Sequence, residues 1–225
     1  MTAIKRNVFQ YCLSFLKQIK VESTSGEYSG PLEVVLFEGR YMLNSENATY
    51  SFEDKYTSYR TALFTIAEEI KSMKSALVLG LGLGSIPYML QTKFGFKGTI
   101  SCVELDKTII RLAKKYYPAQ DLLSALDIHD SDALMWMQLN SQQFDLITVD
   151  LFIDKNVPRQ FHSETFLQQL KNSLSANGIL LFSRLAEKSR SEKTLIDNLK
   201  IVFPSAIEID TGGNLILCYK NGLTA

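Results

Sequence analysis

Residues 76–85 read ALVLGLGLGS, and this stretch decides the fold of the larger part of the chain. Its first four residues predict a buried strand, and Gly80, Gly82 and Gly84 predict a tight turn before a helix that begins near Ser85. Glycine permits such a turn and lets the backbone approach a ligand closely, while the free N–H groups of the helix face that ligand. A turn of purely structural origin gives the same pattern, so this stretch alone does not establish a ligand site.

Short apolar runs alternate with helical patterns through the rest of this region. The apolar runs are 76–79, 99–103, 126–129, 144–149 and 178–182, and the helical patterns begin near Ser85, Asp106, Ala133 and Phe161. Strands separated by helices pair in parallel through right-handed crossovers. Near the end of the chain, two strands flank Gly212-Gly213, which predicts a hairpin whose last strand runs antiparallel to its neighbour. The sequence therefore predicts an α/β fold with a doubly wound, mostly parallel Rossmann-like sheet, closed by an antiparallel C-terminal hairpin.

The first 56 residues follow a different pattern. Apolar residues recur at helical spacing in the order Val8, Cys12, Phe15, Leu16 and Ile19. This spacing predicts an amphipathic helix over 8–19 that docks on another surface. Residues 32–43 then predict two short strands around a turn at Glu38-Gly39. We therefore expect an N-terminal helix and small β element at 1–56 and the α/β domain at 57–225.

Composition limits the function classes. Lys plus Arg and Asp plus Glu both number 24 among the 225 residues, so the net charge of zero predicts no general attraction to nucleic acid or to an anionic membrane. No apolar run is long enough to span a bilayer, and no continuous signal-peptide core is present. The three scattered cysteines and two distant histidines offer neither a disulfide framework nor zinc-ligand spacing. We expect no metal site and a reducing, cytoplasmic setting.

Acidic residues mark the ends of the next two predicted strands. Glu104 ends the second strand, where a carboxylate can accept both ribose hydroxyls of a bound nucleoside. The third strand ends at His129 and is followed by Asp130, Ser131 and Asp132, of which Asp130 or Ser131 could cap the next helix. The glycine loop and Glu104 fit NAD as well as S-adenosylmethionine. Because the dehydrogenase fingerprint needs its third glycine at position 85, where this chain has serine, S-adenosylmethionine is favoured.

The fourth strand predicts a catalytic group. Asp150 ends this strand, and open α/β sheets carry their chemistry at the carboxyl ends of central strands. With Glu104, Asp132 and Asp154 it would form an acidic rim that suits a sulfonium cofactor and an amine substrate, from which a carboxylate can take a proton. The alternative is that Asp150 and Asp154 cap turns and face water.

From about residue 28 to residue 185, the chain resembles the spermidine synthase family of aminopropyltransferases, which has a class I methyltransferase-like domain preceded by a small β domain. The run Leu36-Phe37-Glu38-Gly39 is similar to the family's Leu-Asp-Gly turn. The resemblance implies that the glycine loop binds the cofactor, that Glu104 holds its ribose, that Asp132 reads the adenine and that Asp150 deprotonates the attacking amine. It thus implies cofactor contacts from Gly80, Gly82, Gly84, Ser85, Glu104, Asp132 and Ala133, and a substrate contact from Asp154.

The acceptor half departs from the family pattern. The family's Asp-Ser-Ser-Asp-Pro loop is here Asp150-Leu-Phe-Ile-Asp154, which is one residue longer and apolar in the middle. The glutamine three residues after the family's turn is replaced by Met42, and the family's Tyr-His-Glu stretch by residues 56–58 or 59–61. The cofactor half therefore matches the family better than the acceptor half does.

These observations predict an S-adenosylmethionine-type transferase. We expect a methyltransferase that acts on a small nucleophile, with an aminopropyltransferase using decarboxylated S-adenosylmethionine, or a non-catalytic nucleoside-binding protein, as alternatives. The expected partner is a small-molecule substrate, for example an amine, and the resemblance implies a homodimer.

Overall fold

A computed structural model describes residues 7–185 and 193–222. The helices are α1 (Val8–Leu13), α2 (Thr57–Thr65), α3 (Ala67–Ile70), α4 (Ser85–Thr92), α5 (Lys107–Tyr116), α6 (Ala133–Leu139), α7 (Glu164–Asn172) and α8 (Lys193–Val202). The strands are β1 (Ile19–Gly26), β2 (Gly30–Phe37), β3 (Arg40–Asn44), β4 (Thr49–Ser51), β5 (Ser75–Leu79), β6 (Thr99–Glu104), β7 (Leu126–Asp130), β8 (Phe144–Val149), β9 (Leu174–Leu185), β10 (Ile207–Asp210) and β11 (Asn214–Lys220). None of these helices is long and apolar enough to cross a membrane.

Seven strands form the larger sheet, in the order β10-β11-β9-β8-β5-β6-β7. The five strands from β5 to β9 are parallel, and β11 pairs antiparallel with both β9 and β10. The predicted doubly wound sheet with an antiparallel C-terminal hairpin is thus confirmed. The chain order reverses between β5 and β8, and this switch opens a crevice at the carboxyl ends of the strands.

The central strand β5 shows why the sheet is buried on both faces. Ala76 and Val78 pack into one apolar cluster with α2, α3 and α4, while Leu77 and Leu79 pack into a second cluster with α6, α7 and α8. Alternate side chains of a strand point to opposite faces, so a continuous apolar run fits a strand that is covered on both sides. This packing fixes the position of the glycine turn that follows Leu79.

Four strands form a second, antiparallel sheet in the order β1-β2-β3-β4. The predicted turn at Glu38-Gly39 joins β2 and β3, and both of its residues have positive φ (49° and 73°), as a type I′ hairpin requires. Leu32 and Leu36 of β2 pack on Ile109 and other residues of α5. The second sheet therefore leans against the α/β domain beside the crevice.

The structure corrects two expectations about helices. The N-terminal helix ends at Leu13, not near residue 19, because the Ser14 carbonyl and hydroxyl accept N–H groups from the β2–β3 turn and so hold the chain there. Leu16 is 83% exposed, and Ile19 belongs to strand β1. The helix expected near Phe161 begins at Glu164, because the Ser163 side chain caps it.

Candidate functional site

A cleft of about 830 Å³ lies at the carboxyl ends of the central parallel strands. Its floor is made by the turn after β5, the end of β6, the start of α6 and the loop after β8. The second sheet closes one wall through residues 47–50 and the β1–β2 turn. A concave site of this size at the switch point of an α/β sheet is where small molecules bind in such folds.

The glycine turn comes close to its neighbours on all sides. Gly80, Gly82 and Gly84 have φ of 92°, 54° and 89°, a region that residues with a side chain rarely adopt. A Cβ on Gly80 would lie 2.4 Å from the Asp150 carbonyl oxygen, and one on Gly84 would lie 2.5 Å from the Tyr117 ring. The tight turn therefore serves packing as well as ligand approach.

Only part of the predicted cofactor loop faces the cleft. Gly80 and Gly82 line it, whereas Gly84 and Ser85 are not among its lining residues. The buried Ser85 hydroxyl instead contacts the Ser51 hydroxyl at 2.7 Å and accepts the Phe52 N–H at 2.9 Å. Ser85 thus joins the start of α4 to the segment that follows β4.

Glu104 lies at the end of β6, lines the cleft and contacts the glycine turn through its carboxylate. Its two oxygens accept the Leu81 N–H at 3.1 Å and the Asp106 N–H at 3.0 Å. Burial raises the pKa of Glu104, while these backbone hydrogen bonds lower it less. The carboxylate fixes the turn and keeps further acceptor capacity toward the cleft, since each oxygen has more than one lone pair.

Asp132 and Ala133 line the cleft beyond Glu104. Asp132 caps α6, and its Oδ1 accepts the N–H groups of Leu134 and Met135 at 2.8 and 3.1 Å. Its Oδ2 accepts the Gln160 side-chain amide at 2.9 Å. The helix-capping role that the sequence left open for this segment thus falls to Asp132, while Asp130 and Ser131 precede the cap.

Asp150 is the carboxylate with the most unusual surroundings. The Tyr56 hydroxyl donates to its Oδ2 at 2.7 Å, while its buried Oδ1 has no hydrogen-bond partner within the part of the chain that the structure describes. Burial raises the pKa of Asp150 to about 6, although the hydrogen bond from the Tyr56 hydroxyl lowers it. A buried carboxylate with an unsatisfied oxygen in a cleft is well suited to bind and deprotonate a ligand group.

Asp154 holds a neighbouring loop. Its Oδ1 accepts the Ser45 hydroxyl at 2.9 Å and the Asn47 N–H at 3.0 Å, and its Oδ2 accepts the Asn47 side-chain amide at 3.0 Å. Although desolvation raises the pKa of Asp154, these hydrogen bonds lower it more. The predicted substrate residue thus clips the β3–β4 connection to the loop after β8, at the edge of the cleft.

Two residues that shape the site, Asp106 and Tyr56, were not predicted to have a role there. Asp106 caps α5 and also accepts the N–H groups of Tyr28 and Ser29, which hold the β1–β2 turn at the cleft. Tyr56 comes from the segment before α2 and meets Asp150 across 94 residues of sequence. An aspartate just before a helix signals a cap, but neither long-range contact has a local signal.

Among residues 7–185 and 193–222, no group of three or more His, Cys, Asp or Glu is placed to hold a metal ion.

The fold matches solved structures of class I methyltransferase type. Human methyltransferase-like protein 13, solved in complex with SAH, superposes with a TM-score of 0.63 at 22% identity over 73% of this chain and 82% of that one. The spermidine synthase from Thermotoga maritima superposes with a TM-score of 0.68 at 16% identity over 91% of this chain and 74% of that one. These likenesses establish the fold.

The family follows from the sequence comparison. The spermine/spermidine synthase domain matches residues 57–208, and the chain belongs to this family. A polyamine aminopropyltransferase of Vibrio vulnificus (strain CMCP6) is 29% identical over 108 residues, which cover 47% of this chain and 36% of that protein. An eEF1A lysine and N-terminal methyltransferase of Mus musculus is 25% identical over 138 residues, 57% of this chain and 20% of that protein. The chain therefore spans about a third or less of the length of these relatives.

Proposed function

We propose that this protein is an S-adenosylmethionine-dependent methyltransferase that acts on a small nucleophile and uses Asp150 as the base. One observation carries the proposal: Asp150, whose buried Oδ1 has no hydrogen-bond partner among the described residues, lines the same cleft as the glycine turn and the carboxylate of Glu104. The relatives that the chain matches in sequence are named as aminopropyltransferases and methyltransferases, which supports a group-transfer reaction.

The residues of the cleft fit an adenosine sulfonium compound. Gly80 and Gly82 carry no side chain into the cleft, Glu104 offers acceptor capacity for ribose hydroxyls, and Asp132 with Ala133 lines the far end for the base. The carboxylates that line the cleft also favour a cationic ligand. We assign these residues to cofactor binding, while Gly84 and Ser85 support the turn from behind.

The chemistry needs a proton acceptor and good alignment. A bound adenosine sulfonium supplies an electrophilic carbon next to positively charged sulfur. Asp150 would accept the proton that the acceptor's nitrogen or oxygen loses on bonding to that carbon, and the electron pair of the broken carbon–sulfur bond would stay on sulfur. With a pKa of about 6, Asp150 is mostly ionised at neutral pH and still basic enough to take the proton. Alignment of the two reactants in the cleft supplies much of the remaining rate.

Aminopropyl transfer is the second candidate. The Tyr56–Asp150 hydrogen bond is the observation that favours it, because a buried carboxylate held by a neutral hydroxyl suits deprotonation of an ammonium group. Burial and the charge of Asp150 raise the pKa of Tyr56, so this hydroxyl remains a donor. In that case the same cleft would bind decarboxylated S-adenosylmethionine.

Product analysis separates these functions. The protein is incubated with S-adenosylmethionine or its decarboxylated form and a pool of small amines and phenols, and mass spectrometry detects S-adenosylhomocysteine or methylthioadenosine. Asp150→Asn should reduce turnover by about a hundredfold or more, the usual contribution of a general base, while cofactor affinity changes little. Unchanged turnover in the variant would remove Asp150 from the mechanism, and absence of both products would contradict a catalytic role.

A further inference from the structure

The strand order divides the cleft into two halves. Glu104 and Asp132 follow β6 and β7 on one side of the switch point, and with the glycine turn they form the cofactor half. Asp150 follows β8 on the other side, where Leu185 ends β9 and Asn214 begins β11. Tyr56 and the loop residues Leu151, Phe152 and Ile153 complete this acceptor half around Asp150.

Among the described residues, five carboxylates line the cleft, and four of them are already engaged by the protein. Glu104 accepts two hydrogen bonds, and Asp106, Asp132 and Asp154 each accept three. Asp150 alone keeps an oxygen without a partner. The acceptor half therefore offers one free carboxylate oxygen, which can take one N–H or O–H group.

The walls around Asp150 in the acceptor half are mainly apolar. Leu151, Phe152 and Leu185 are partly buried apolar side chains. Lys155 also lines the cleft, is exposed, and places a positive charge close enough to Asp154 to lower the pKa of that carboxyl. The other carboxylate on this loop, Asp154, lies at the edge of the cleft and already accepts three hydrogen bonds from Ser45 and Asn47. A second ammonium group of an acceptor would thus meet apolar walls, a like charge or an engaged carboxylate, and a charge taken out of water without a dedicated partner is strongly unfavourable.

We propose that the acceptor is a compact, largely apolar molecule that presents a single amine or hydroxyl group to Asp150 Oδ1, and that polyamines are excluded. The apolar body packs against the loop after β8 and the end of β9, while its one polar group satisfies the unpartnered oxygen. This inference rests on the proposed function, because it names the substrate class of the same site.

Binding to the product complex tests the acceptor class directly. The protein is first saturated with S-adenosylhomocysteine, and calorimetry then compares 2-phenylethylamine, 4-ethylphenol, putrescine and spermidine as probes. We expect one or both of the apolar probes to bind at least about tenfold more tightly than the diamine and the triamine, and the preferred probe distinguishes an amine from a phenol acceptor. Tighter binding of putrescine or spermidine, or no binding of either apolar probe, overturns the inference.

Failure of the proposed function has a different signature. In that case S-adenosylhomocysteine itself does not bind, and the acceptor comparison is made on the free protein, with the same two outcomes for the acceptor class. Binding of S-adenosylhomocysteine together with a preference for polyamines overturns only the acceptor class.

A charge added to the acceptor half provides an independent check. Ile153 is 44% exposed, so Ile153→Asp introduces a further carboxylate with little disturbance of the core, and Ile153→Asn is the matched variant without charge. We expect putrescine to bind the aspartate variant up to about fivefold more tightly than the asparagine variant, the most that an exposed ion pair contributes. Equal putrescine affinity in the two variants would argue against charge as the basis of the exclusion.

Discussion

Asp150→Asn should change how the stability of the protein depends on pH. The pKa of Asp150 is about 6 in the folded protein against an ordinary value of 3.8, because burial penalises the ionised form. The folded state therefore binds this proton more tightly than the unfolded state, and the stability from this group is lost as pH rises from about 4 to about 6. This difference of about two pKa units corresponds to about 3 kcal/mol in the free energy of unfolding, and roughly half of that is lost above pH 5.

The comparison uses urea unfolding of both proteins between about pH 5 and pH 7.5. The free energy of unfolding of the variant minus that of the wild type should grow by about 1.5 kcal/mol over this range, whatever constant offset the substitution adds. Asp145→Asn on the same strand is the control, because hydrogen bonds from Ser175 and the Lys74 and Ser75 backbone outweigh burial and lower the pKa of Asp145 below its ordinary value of 3.8. This carboxyl is ionised in both the folded and the unfolded state above about pH 5, so the corresponding difference for Asp145→Asn should stay flat over the same range. A difference for Asp150→Asn that stays flat or shrinks with rising pH would refute a buried carboxylate with a raised pKa.

Three other changes test the site and its supports. Tyr56→Phe removes a hydrogen bond that lowers the pKa of Asp150, so the acid limb of the kcat/KM pH profile should move up from about pH 6 by roughly one pH unit. An acid limb at the same pH in the variant and the wild type would count against Asp150 as the base. Gly84→Ala should reduce the free energy of unfolding by more than about 2 kcal/mol, since its Cβ would lie 2.5 Å from the Tyr117 ring. Gly95→Ala is the control at positive φ in open space, and it should lose only about 1 kcal/mol. Equal losses in urea titrations would argue against the clash. Burial raises the pKa of Glu22, but hydrogen bonds from α5 lower it more, to about 2. Glu22→Gln should therefore lower the free energy of unfolding by about 1 kcal/mol at neutral pH and by progressively less below about pH 4. A loss that does not change with pH would show that the ion pairs with α5 contribute nothing.

The sequence predicted the features that have local causes. The glycine turn, the parallel strands and the C-terminal hairpin were predictable because apolar runs, glycines and spacing carry their signals within a few residues. Glu104 and Asp150 could be placed at the cleft because the carboxyl ends of parallel strands meet at one edge of a sheet. The turn at Glu38-Gly39 was also predictable, because it is marked by a glycine between two short apolar runs.

Features that depend on distant partners were not predictable in this way. Strand β1 contains mostly polar residues, none of them buried, so it has no apolar alternation, and pairing with β2 alone defines it. The clip between Asp154 and Asn47 and the contact between Tyr56 and Asp150 join segments about a hundred residues apart. The domain boundary after residue 56 and the homodimer stay predictions.

A pair of calorimetric titrations tests the central claim, the adenosine sulfonium site, most directly. S-adenosylmethionine and its decarboxylated form are titrated into the wild type, into Glu104→Ala and into Glu104→Gln, which keeps the size of the side chain that holds the glycine turn. We expect the wild type to bind the carboxylated form more tightly, and both variants to lose about tenfold or more in affinity, since hydrogen bonds to a charged group contribute about 1.5–3 kcal/mol. Tighter binding of the decarboxylated form would support aminopropyl transfer, and binding of neither compound by the wild type would contradict the account.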